Sequence, residues 1–158
     1  MVSTHINILL ADDDKDDCLL FQEALDELQL QTTLTLVHDG EQLMQLLTNQ
    51  PADRHGNSKN VFDVLFLDLN MPRKNGFTCF EEIKRSDKLK SLPVIIFSTS
   101  YDQSVANLFY KKGAYHYICK PGNFSELKKI IQEAPLLISG KNSLQPPKEN
   151  FLLRGLKS

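Results

Sequence analysis

Long apolar runs, paired cysteines and a strong net charge are all missing from this sequence of 158 residues. The longest apolar stretches, such as Val94 to Phe97, fall far short of the roughly 18 residues that a membrane-spanning helix needs. The formal net charge of −2 argues against a dedicated nucleic-acid binder, which would normally carry a strongly basic surface. An odd number of widely spaced cysteines favours buried free thiols over a disulfide framework or a zinc site; these are Cys18, Cys79 and Cys119.

What the sequence does contain is typical of a globular domain. Hydrophobic residues make up 41% of the chain and charged residues 24%, which is the usual balance for a protein that buries a core. The amino terminus lacks the basic segment that precedes the apolar part of a secretory signal, so we expect a cytoplasmic protein. The length fits one domain, or one domain with a tail.

Short apolar runs alternate with helical patterns five times along the chain. After the first run, Cys18, Phe21 and Leu25 recur at spacings of three and four, which is typical of an amphipathic helix. Strands that alternate with helices in this way predict a parallel sheet with helices on both faces. The predicted strands are Ile6–Ala11, Thr33–Val37, Val61–Leu67, Pro93–Phe97 and Tyr115–Ile118.

The pattern of polar and apolar residues within each strand predicts the order of the strands in the sheet. Strands one, three and four are continuous apolar runs, whereas strands two and five alternate between polar and apolar residues, which favours the edges for these two. We therefore expect a doubly wound α/β fold with five parallel strands in the order 2-1-3-4-5. Such sheets bind ligands beyond the carboxyl ends of strands one and three, where the winding reverses.

The pattern weakens near the carboxyl terminus. We expect a domain over residues 5–134, because Pro135 should stop the last helix. Residues 135–158 form a tail that is too short for an effector domain. The tail contains two apolar clusters. We expect the first, Leu136 to Ile138, to extend the packing of the last helix. We expect the second, Phe151 to Leu153, to dock on the domain or on a second copy.

Charged and polar side chains follow the strands at the end where ligands bind. Asp12, Asp13 and Asp68 would crowd three carboxylates together, and such a cluster repels itself unless a cation or protons neutralise it. Mg²⁺ suits this set, since it prefers oxygen ligands and usually takes one or two carboxylates together with a phosphate oxygen. Ser98 after strand four and Lys120 after strand five would add a hydroxyl and an ammonium group at the same end.

Each of these residues also has a purely structural interpretation. An acidic stretch before a helix often caps it, with Asp14 as the N-cap and with Asp16 and Asp17 in the first turn. Ser98, Tyr117 and Lys120, taken singly, fit a strand-end hydroxyl, a core aromatic and a surface charge. Only their convergence at one end of one sheet favours a functional site.

Four segments carry a family resemblance. In this order and at these separations they resemble the signature regions of the receiver domain of bacterial two-component response regulators, over about residues 5 to 134. The resemblance implies the flavodoxin-like receiver fold. The segments are ILLADDD (Ile8 to Asp14), LFLDLNMPRKNG (Leu65 to Gly76), PVIIFSTS (Pro93 to Ser100) and GAYHYICKP (Gly113 to Pro121).

The resemblance implies a role for each residue at the strand ends. Asp68 falls on the phosphoacceptor position. Asp13 falls on the direct metal ligand and Asp12 on the carboxylate that acts through water, while Asn70 would supply a backbone carbonyl to the Mg²⁺ ion. The switch hydroxyl, the switch aromatic and the invariant lysine fall on Ser98, Tyr117 and Lys120, and the bond from that lysine to Pro121 is usually cis in the family.

Departures from the family pattern are few. The loop from about Asn49 to Asn60 is longer than in compact receivers and resembles single-domain, chemotaxis-like regulators that pair with phytochrome-like and hybrid kinases, although a solvated insertion is the simpler interpretation. Ser98 stands where threonine is commoner, which should preserve the hydrogen bond. Thr99 follows where a smaller residue is common, which would alter access to the phosphoryl group.

The implied function is that of a single-domain response regulator. It would accept a phosphoryl group on Asp68 from a sensor histidine kinase or phosphotransfer protein and signal to a downstream protein, without nucleic-acid binding or membrane insertion; a second copy is a further candidate partner. It would be a switch, not an enzyme. We expect the output surface on the helix from Asp102 to Lys112, strand five, and the helix from Phe124 to Glu133.

Three alternatives remain to be weighed against this function. A phosphatase of the haloacid dehalogenase type would need a second aspartate where Asn70 stands. A flavin binder of the same fold would need an anion cradle where Asp12 to Asp14 would repel phosphate. A DNA-binding regulator would need a helix-turn-helix domain, and the basic residues of the tail are sparse.

Overall fold

A computed structural model describes residues 5–28, 31–50, 61–138 and 145–153 of the chain. Strands and helices alternate as the sequence predicts, and most boundaries agree within one residue. The strands are β1 (Ile6–Ala11), β2 (Thr32–Val37), β3 (Val64–Leu67), β4 (Val94–Ser98), β5 (His116–Cys119) and β6 (Leu152–Leu153). The helices are α1 (Lys15–Leu28), α2 (Gly40–Thr48), α3 (Gly76–Arg85), α4 (Gln103–Lys111) and α5 (Phe124–Ile138), with a short 3₁₀ turn at Lys148–Asn150.

All pairings in the described sheet are parallel, in the order β2-β1-β3-β4-β5-β6. The doubly wound arrangement predicted from strand texture is confirmed for strands one to five. The predicted number of strands and the edge position of strand five are wrong, because β6 pairs with β5, Leu152 lying opposite Tyr117 and Leu153 opposite Ile118. The alternation in β5 reflects two different packed faces, since its first three residues are all buried.

The sheet separates two apolar cores. On one face, α1 and α5 pack together over Ile8, Leu10 and Phe66. Edge-to-face contacts join the rings of Phe21, Phe66 and Phe97 there, which adds directional packing to apolar burial. On the other face, α2, α3 and α4 cover the sheet, contributing Leu43, Phe80 and Phe109 among others. Packing on both faces keeps the sheet, and with it the carboxyl ends of the strands, in a fixed position.

The last helix continues past the proline that was expected to stop it. α5 extends to Ile138 and includes Pro135. Proline has a helical φ of its own, so a helix can pass through it at the loss of one backbone hydrogen bond. The expected packing of the side chains of Leu136 to Ile138 lies outside the described residues.

The segment from residue 145 to 153 lies against α4 and β5, which confirms that Phe151 docks back on the domain. Phe151 is only 4% exposed, and its ring lies 5.2 Å from that of Tyr110. The Gln145 amide donates to the carbonyl oxygens of Tyr110 and Ala114 at 2.7 and 2.6 Å. The backbone N–H of Tyr117 donates to the carbonyl of Phe151 at 3.0 Å. Side chains and backbone thus both attach this segment.

Three further expectations concern the cysteines, the helices and the long loop. The three cysteines are free thiols, two of them buried, and burial raises the pKa of Cys18 to about 12. None of the helices in the described part of the chain combines the length and the apolar composition that crossing a lipid bilayer requires. The expected long loop, at residues 51–60, lies outside the described residues.

Candidate functional site

Three carboxylates meet where β1 and β3 end. Asp12 directly follows β1 and is fully buried, and Asp68 directly follows β3 and is 5% exposed. Asp13 is exposed at the rim. One carboxylate oxygen from each of the three residues lies within 4.8 Å of the others. The predicted convergence of Asp12, Asp13 and Asp68 is therefore present.

Backbone hydrogen bonds between neighbouring strands place the two buried aspartates. The N–H of Asp12 donates to the carbonyl of Val37 at 3.0 Å, and the N–H of Asp68 donates to that of Ala11 at 2.9 Å. Each aspartate therefore continues the pairing of its strand by one bond. The carboxylates are held in the crevice at the sheet end by backbone geometry that the strands impose.

The acidic stretch also caps a helix, as its structural interpretation expects, and the capping residue is Asp14, which is not one of the three clustered carboxylates. Asp14 Oδ1 accepts the backbone N–H groups of Asp16 and Asp17 at 2.9 and 3.2 Å, so Asp14 caps α1 as expected. The N–H of Asp14 itself donates to Asp12 Oδ1 at 2.9 Å. Capping by Asp14 thus leaves Asp12 and Asp13 in the carboxylate cluster.

Lys120 reaches the cluster from the end of β5. Its Nζ lies 2.7 Å from Asp12 Oδ2, 2.9 Å from Asp17 Oδ2 and 3.7 Å from Asp68 Oδ2. The side chain is 7% exposed, and Nζ lies 5.0 Å from the ring centre of Phe97, a distance at which a cation is attracted to a ring face. Packing and charge together keep the ammonium group among the carboxylates.

The electrostatics of the cluster favour a neutralising partner for Asp68. Burial raises the pKa of the Asp68 carboxyl to about 6; the Lys120 ammonium opposes this shift and the Asp12 carboxylate adds to it. Burial lowers the pKa of Lys120, but hydrogen bonds to Asp12 and Asp17 outweigh it, and the pKa ends above its usual value. Lys120 is therefore charged, and more negative charge surrounds it than it can balance.

The loop after β3 is tightly built. The N–H of Asn70 donates to Asp68 Oδ1 at 3.3 Å, and the N–H of Gly76 donates to the carbonyl of Leu69 at 3.0 Å. A Cβ atom at Gly76 would lie 2.2 Å from the carbonyl oxygen of Asp68, so only glycine lets the start of α3 approach this closely. The loop therefore fixes Asp68 and Asn70 relative to α3.

The hydroxyl groups at the end of β4 form a chain that leads to β5. Ser98 Oγ lies 3.2 Å from Ser100 Oγ and accepts the Ser100 N–H at 3.2 Å. The buried Tyr117 donates its hydroxyl to the carbonyl of Ser100 at 2.6 Å. Its ring meets that of Tyr101 edge-to-face. Ser98 and Tyr117 are thus linked through the loop after β4.

One implied feature of this region is contradicted. The peptide bond between Lys120 and Pro121 is trans, not cis.

The donor set fits a hard divalent cation. Carboxylate oxygens are the ligands that Mg²⁺ and Mn²⁺ favour, and three of them lie close together with one positive neighbour. Asp13 follows β1, Asp68 follows the neighbouring strand β3, and Asn70 lies two residues after Asp68. These residues could hold a metal ion, which would relieve the repulsion between the carboxylates.

Sequence reasoning missed three members of the site. Asp17 contacts Lys120 but carried only the signal of a first-turn acid on a helix. Ser100 connects Ser98 with Tyr117 through its backbone, which no side-chain pattern indicates. His38 Nδ1 lies 3.1 Å from the carbonyl oxygen of Asp12, and an isolated histidine after a strand carries no signal of such a contact.

Comparison with models of known protein families shows which family this chain belongs to. The model of the response regulator receiver domain matches residues 8–132. The chain belongs to this family. The receiver domain described here is 32% identical, over 79% of its length and 83% of the relative's, to response regulator Rcp1 of Synechocystis sp.. A probable chemotaxis protein CheY of Rhizobium etli is 25% identical, over 83% of this chain and 93% of the relative.

Solved structures agree with this assignment. The Mn²⁺-bound form of response regulator Rcp1 superposes with a TM-score of 0.73 at 29% identity, over 90% of this chain and 99% of that one. The phosphorylated cyanobacterial phytochrome response regulator RcpA also gives a TM-score of 0.73, at 32% identity over 87% and 98%. The flavodoxin-like receiver fold implied by the sequence is confirmed.

Proposed function

We propose that this receiver domain is a phosphorylation switch that accepts a phosphoryl group on Asp68 in a Mg²⁺-dependent reaction. The observation that carries the proposal is the position of Asp68, a buried carboxylate at the end of β3 with Lys120 Nζ 3.7 Å away and Asp12 and Asp13 beside it. The Mn²⁺-bound Rcp1 and the phosphorylated RcpA among its structural neighbours support the same chemistry here.

The donor would be a sensor histidine kinase or a phosphotransfer protein. An oxygen of the Asp68 carboxylate attacks phosphorus, the bond between phosphorus and the donor imidazole nitrogen breaks, and the imidazole leaves with the electron pair. Such a transfer needs positioning and charge stabilisation more than covalent machinery. Asp13, Asp68 and the Asn70 carbonyl would hold Mg²⁺, with Asp12 acting through water, and the bound ion would supply charge neutralisation for the transferred group.

Lys120 and Ser98 would hold the phosphoryl group once it is formed. Lys120 is charged and buried, and its Nζ lies 3.7 Å from Asp68 Oδ2. The hydroxyl of Ser98 accepts the Ser100 N–H and lies 3.2 Å from the Ser100 hydroxyl, and either hydroxyl can be the donor of that contact. The proton of Ser98 can therefore turn to a phosphoryl oxygen. Charge-assisted hydrogen bonds of this kind are stronger than neutral ones.

The same contacts supply a route for the signal. Movement of Ser98 toward the phosphoryl group would displace Ser100, whose carbonyl is the partner of the Tyr117 hydroxyl. Tyr117 would then reorient between β4 and β5, next to α4. A phosphoryl group biases such a rearrangement through its charge and its acceptor oxygens.

The output would be binding to a downstream protein. Three apolar side chains on and before α4 are about two-fifths exposed, namely Tyr101, Val105 and Leu108, and clustered exposed apolar residues are common in interaction surfaces. This position agrees with the expected output surface on α4, with one change. The outer edge of β5 is covered by β6, so the surface would be formed by α4, α5 and the carboxy-terminal segment instead of by α4, α5 and β5.

We infer a switch and not an enzyme with an external substrate. A haloacid dehalogenase-type phosphatase places a second aspartate two residues after the nucleophile as a general acid. The side chain in that position is Asn70, which cannot donate a titratable proton. Turnover would then be limited to loss of the domain's own phosphoryl group.

The test uses acetyl phosphate, Mg²⁺ and two variants. The intact domain should take up one phosphoryl group only when Mg²⁺ is present, as measured by intact-protein mass spectrometry. Asp13→Ala should weaken both Mg²⁺ binding and phosphorylation because it removes a metal ligand. Asp16→Ala removes a nearby carboxylate outside the cluster and should change neither. Uptake that is insensitive to Mg²⁺ and to Asp13→Ala would contradict the proposal.

A further inference from the structure

Lys120 divides its two short contacts between two very different carboxylates. Asp12 is fully buried in the metal cluster, whereas the side chain of Asp17 is 29% exposed on the first turn of α1. Both lie within 3 Å of Nζ, at 2.7 and 2.9 Å, while Asp68 lies at 3.7 Å. In the unphosphorylated domain the ammonium group is therefore hydrogen-bonded to Asp12 and Asp17 and stands off from Asp68.

Asp17 is the contact that Lys120 can release at lower cost. Asp17 lines a small cavity of about 60 Å³ together with Leu20, Phe124 and Lys120. This opening gives water access to the Asp17 side of the ion pair. Partly solvated ion pairs contribute little, because water screens the attraction and solvates each partner when they separate. Releasing Asp12 would instead leave a fully buried carboxylate without its cation, which is far more costly.

We propose that Asp17 is a positioning residue that competes with phosphorylated Asp68 for Lys120 and thereby sets how tightly the domain holds its phosphoryl group. This inference rests on the proposed function, because it needs a phosphoryl group at Asp68. When the group is present, its oxygens draw Lys120 toward Asp68, and the Lys120–Asp17 contact is the one that lengthens. Asp17 therefore stabilises the unphosphorylated state relative to the phosphorylated one.

The proposal predicts a gain where a simple structural role predicts a loss. Substitution Asp17→Asn removes the charge that competes for Lys120 and keeps a side chain of nearly the same size. Exposed ion pairs are typically worth up to about a fivefold change in an equilibrium constant. We expect Asp17→Asn to bind the phosphoryl analogue beryllofluoride about two- to fivefold more tightly in the presence of Mg²⁺. A residue that only supported the fold would weaken binding when replaced.

The experiment compares three variants with the unmodified chain. Beryllofluoride binding at saturating Mg²⁺ is followed by amide NMR shifts, and Mg²⁺ affinity is measured separately. Asp16→Asn is the matched control, since Asp16 lies on the same helical turn, carries the same charge and makes no ion pair with Lys120 in the described structure. Asp17→Glu retains the negative charge and should stay close to the unmodified chain. Thermal unfolding checks that all variants are folded.

Each outcome decides between the alternatives. Tighter beryllofluoride binding by Asp17→Asn alone, with slower loss of the phosphoryl group after acetyl phosphate treatment, supports the competition. Unchanged or weaker binding by Asp17→Asn overturns it, and so does an equal gain in Asp16→Asn, which would show a general charge effect. If the unmodified chain neither binds beryllofluoride nor is phosphorylated at Asp68, the proposed function itself fails, and this inference with it.

Discussion

Phe151 provides a direct measure of how firmly the carboxy-terminal segment is attached. Its side chain is 4% exposed and its ring meets that of Tyr110 edge-to-face. The substitution Phe151→Ala removes the ring and leaves the backbone pairing of β6 in place. The change therefore isolates the apolar part of the docking.

The expected loss follows from the burial of the ring. Replacing a buried phenylalanine by alanine costs about 3 kcal/mol at the lower end of the usual range, and the lower end applies because Phe151 lies near the sheet edge and its surroundings can adjust. For a protein of this size each 1 kcal/mol lowers the melting temperature by about 2–4 °C. We therefore expect Phe151→Ala to lower it by about 6–12 °C.

Thermal unfolding followed by circular dichroism gives the answer, with Leu19→Ala as the control. Leu19 is another large apolar residue but is 59% exposed on α1, so its loss should change stability by less than about 0.5 kcal/mol. A shift for Phe151→Ala no larger than that of Leu19→Ala would refute the docking of the segment in solution. A large shift would show that the sixth strand belongs to the folded domain.

Two further predictions concern residues close to this edge and to the site. Burial lowers the pKa of His116 below 6.5, so the unfolded chain takes up a proton more readily than the folded one. The free energy of unfolding should therefore fall as the pH drops below about 6.5. Urea titrations should show a smaller fall for His116→Gln, and an identical fall would contradict the shift. Gly76→Ala should destabilise the domain by about 1–3 kcal/mol, because its Cβ would meet the Asp68 carbonyl. Gly122 has open space around it, so Gly122→Ala should leave the melting temperature unchanged. Equal changes in melting temperature for the two variants would contradict this prediction.

The sheet and most of its site could be predicted because both depend on local patterns. An apolar run that stops at an aspartate marks the carboxyl end of a buried strand, and parallel strands bring those ends to one edge. This is why Asp12 and Asp68 could be placed beside each other although they are far apart in the chain. The family resemblance then added a role for each residue, which the pattern alone did not.

The sixth strand could not be predicted for the opposite reason. β6 contains only two residues, and the segment before it is held by bonds from Gln145 to Tyr110 and Ala114 and by the bond between Phe151 and Tyr117. None of these contacts leaves a periodic signal in the sequence. Local propensity also argues for a stop of α5 at Pro135, whereas the helix continues to Ile138. Rules that use only neighbouring residues therefore describe both segments poorly.

The contact between Asp17 and Lys120 shows the same limit within the site. The two residues are far apart in sequence, and an acid in the first turn of a helix is expected on helix-dipole grounds alone. Only the position of α1 relative to the end of β5 shows that this acid has a partner. A residue that tunes a site through another side chain leaves no motif of its own.

The most direct test of the central claim is to locate the phosphoryl group. The domain is incubated with Mg²⁺ and acetyl phosphate, or with a phosphorylated histidine kinase, and the acyl phosphate is trapped by borohydride reduction before peptide mass spectrometry. We predict that the modified position is Asp68 and that Asp68→Asn abolishes the modification while the variant remains folded. A phosphoryl group found at another residue, or undiminished in Asp68→Asn, would contradict the account.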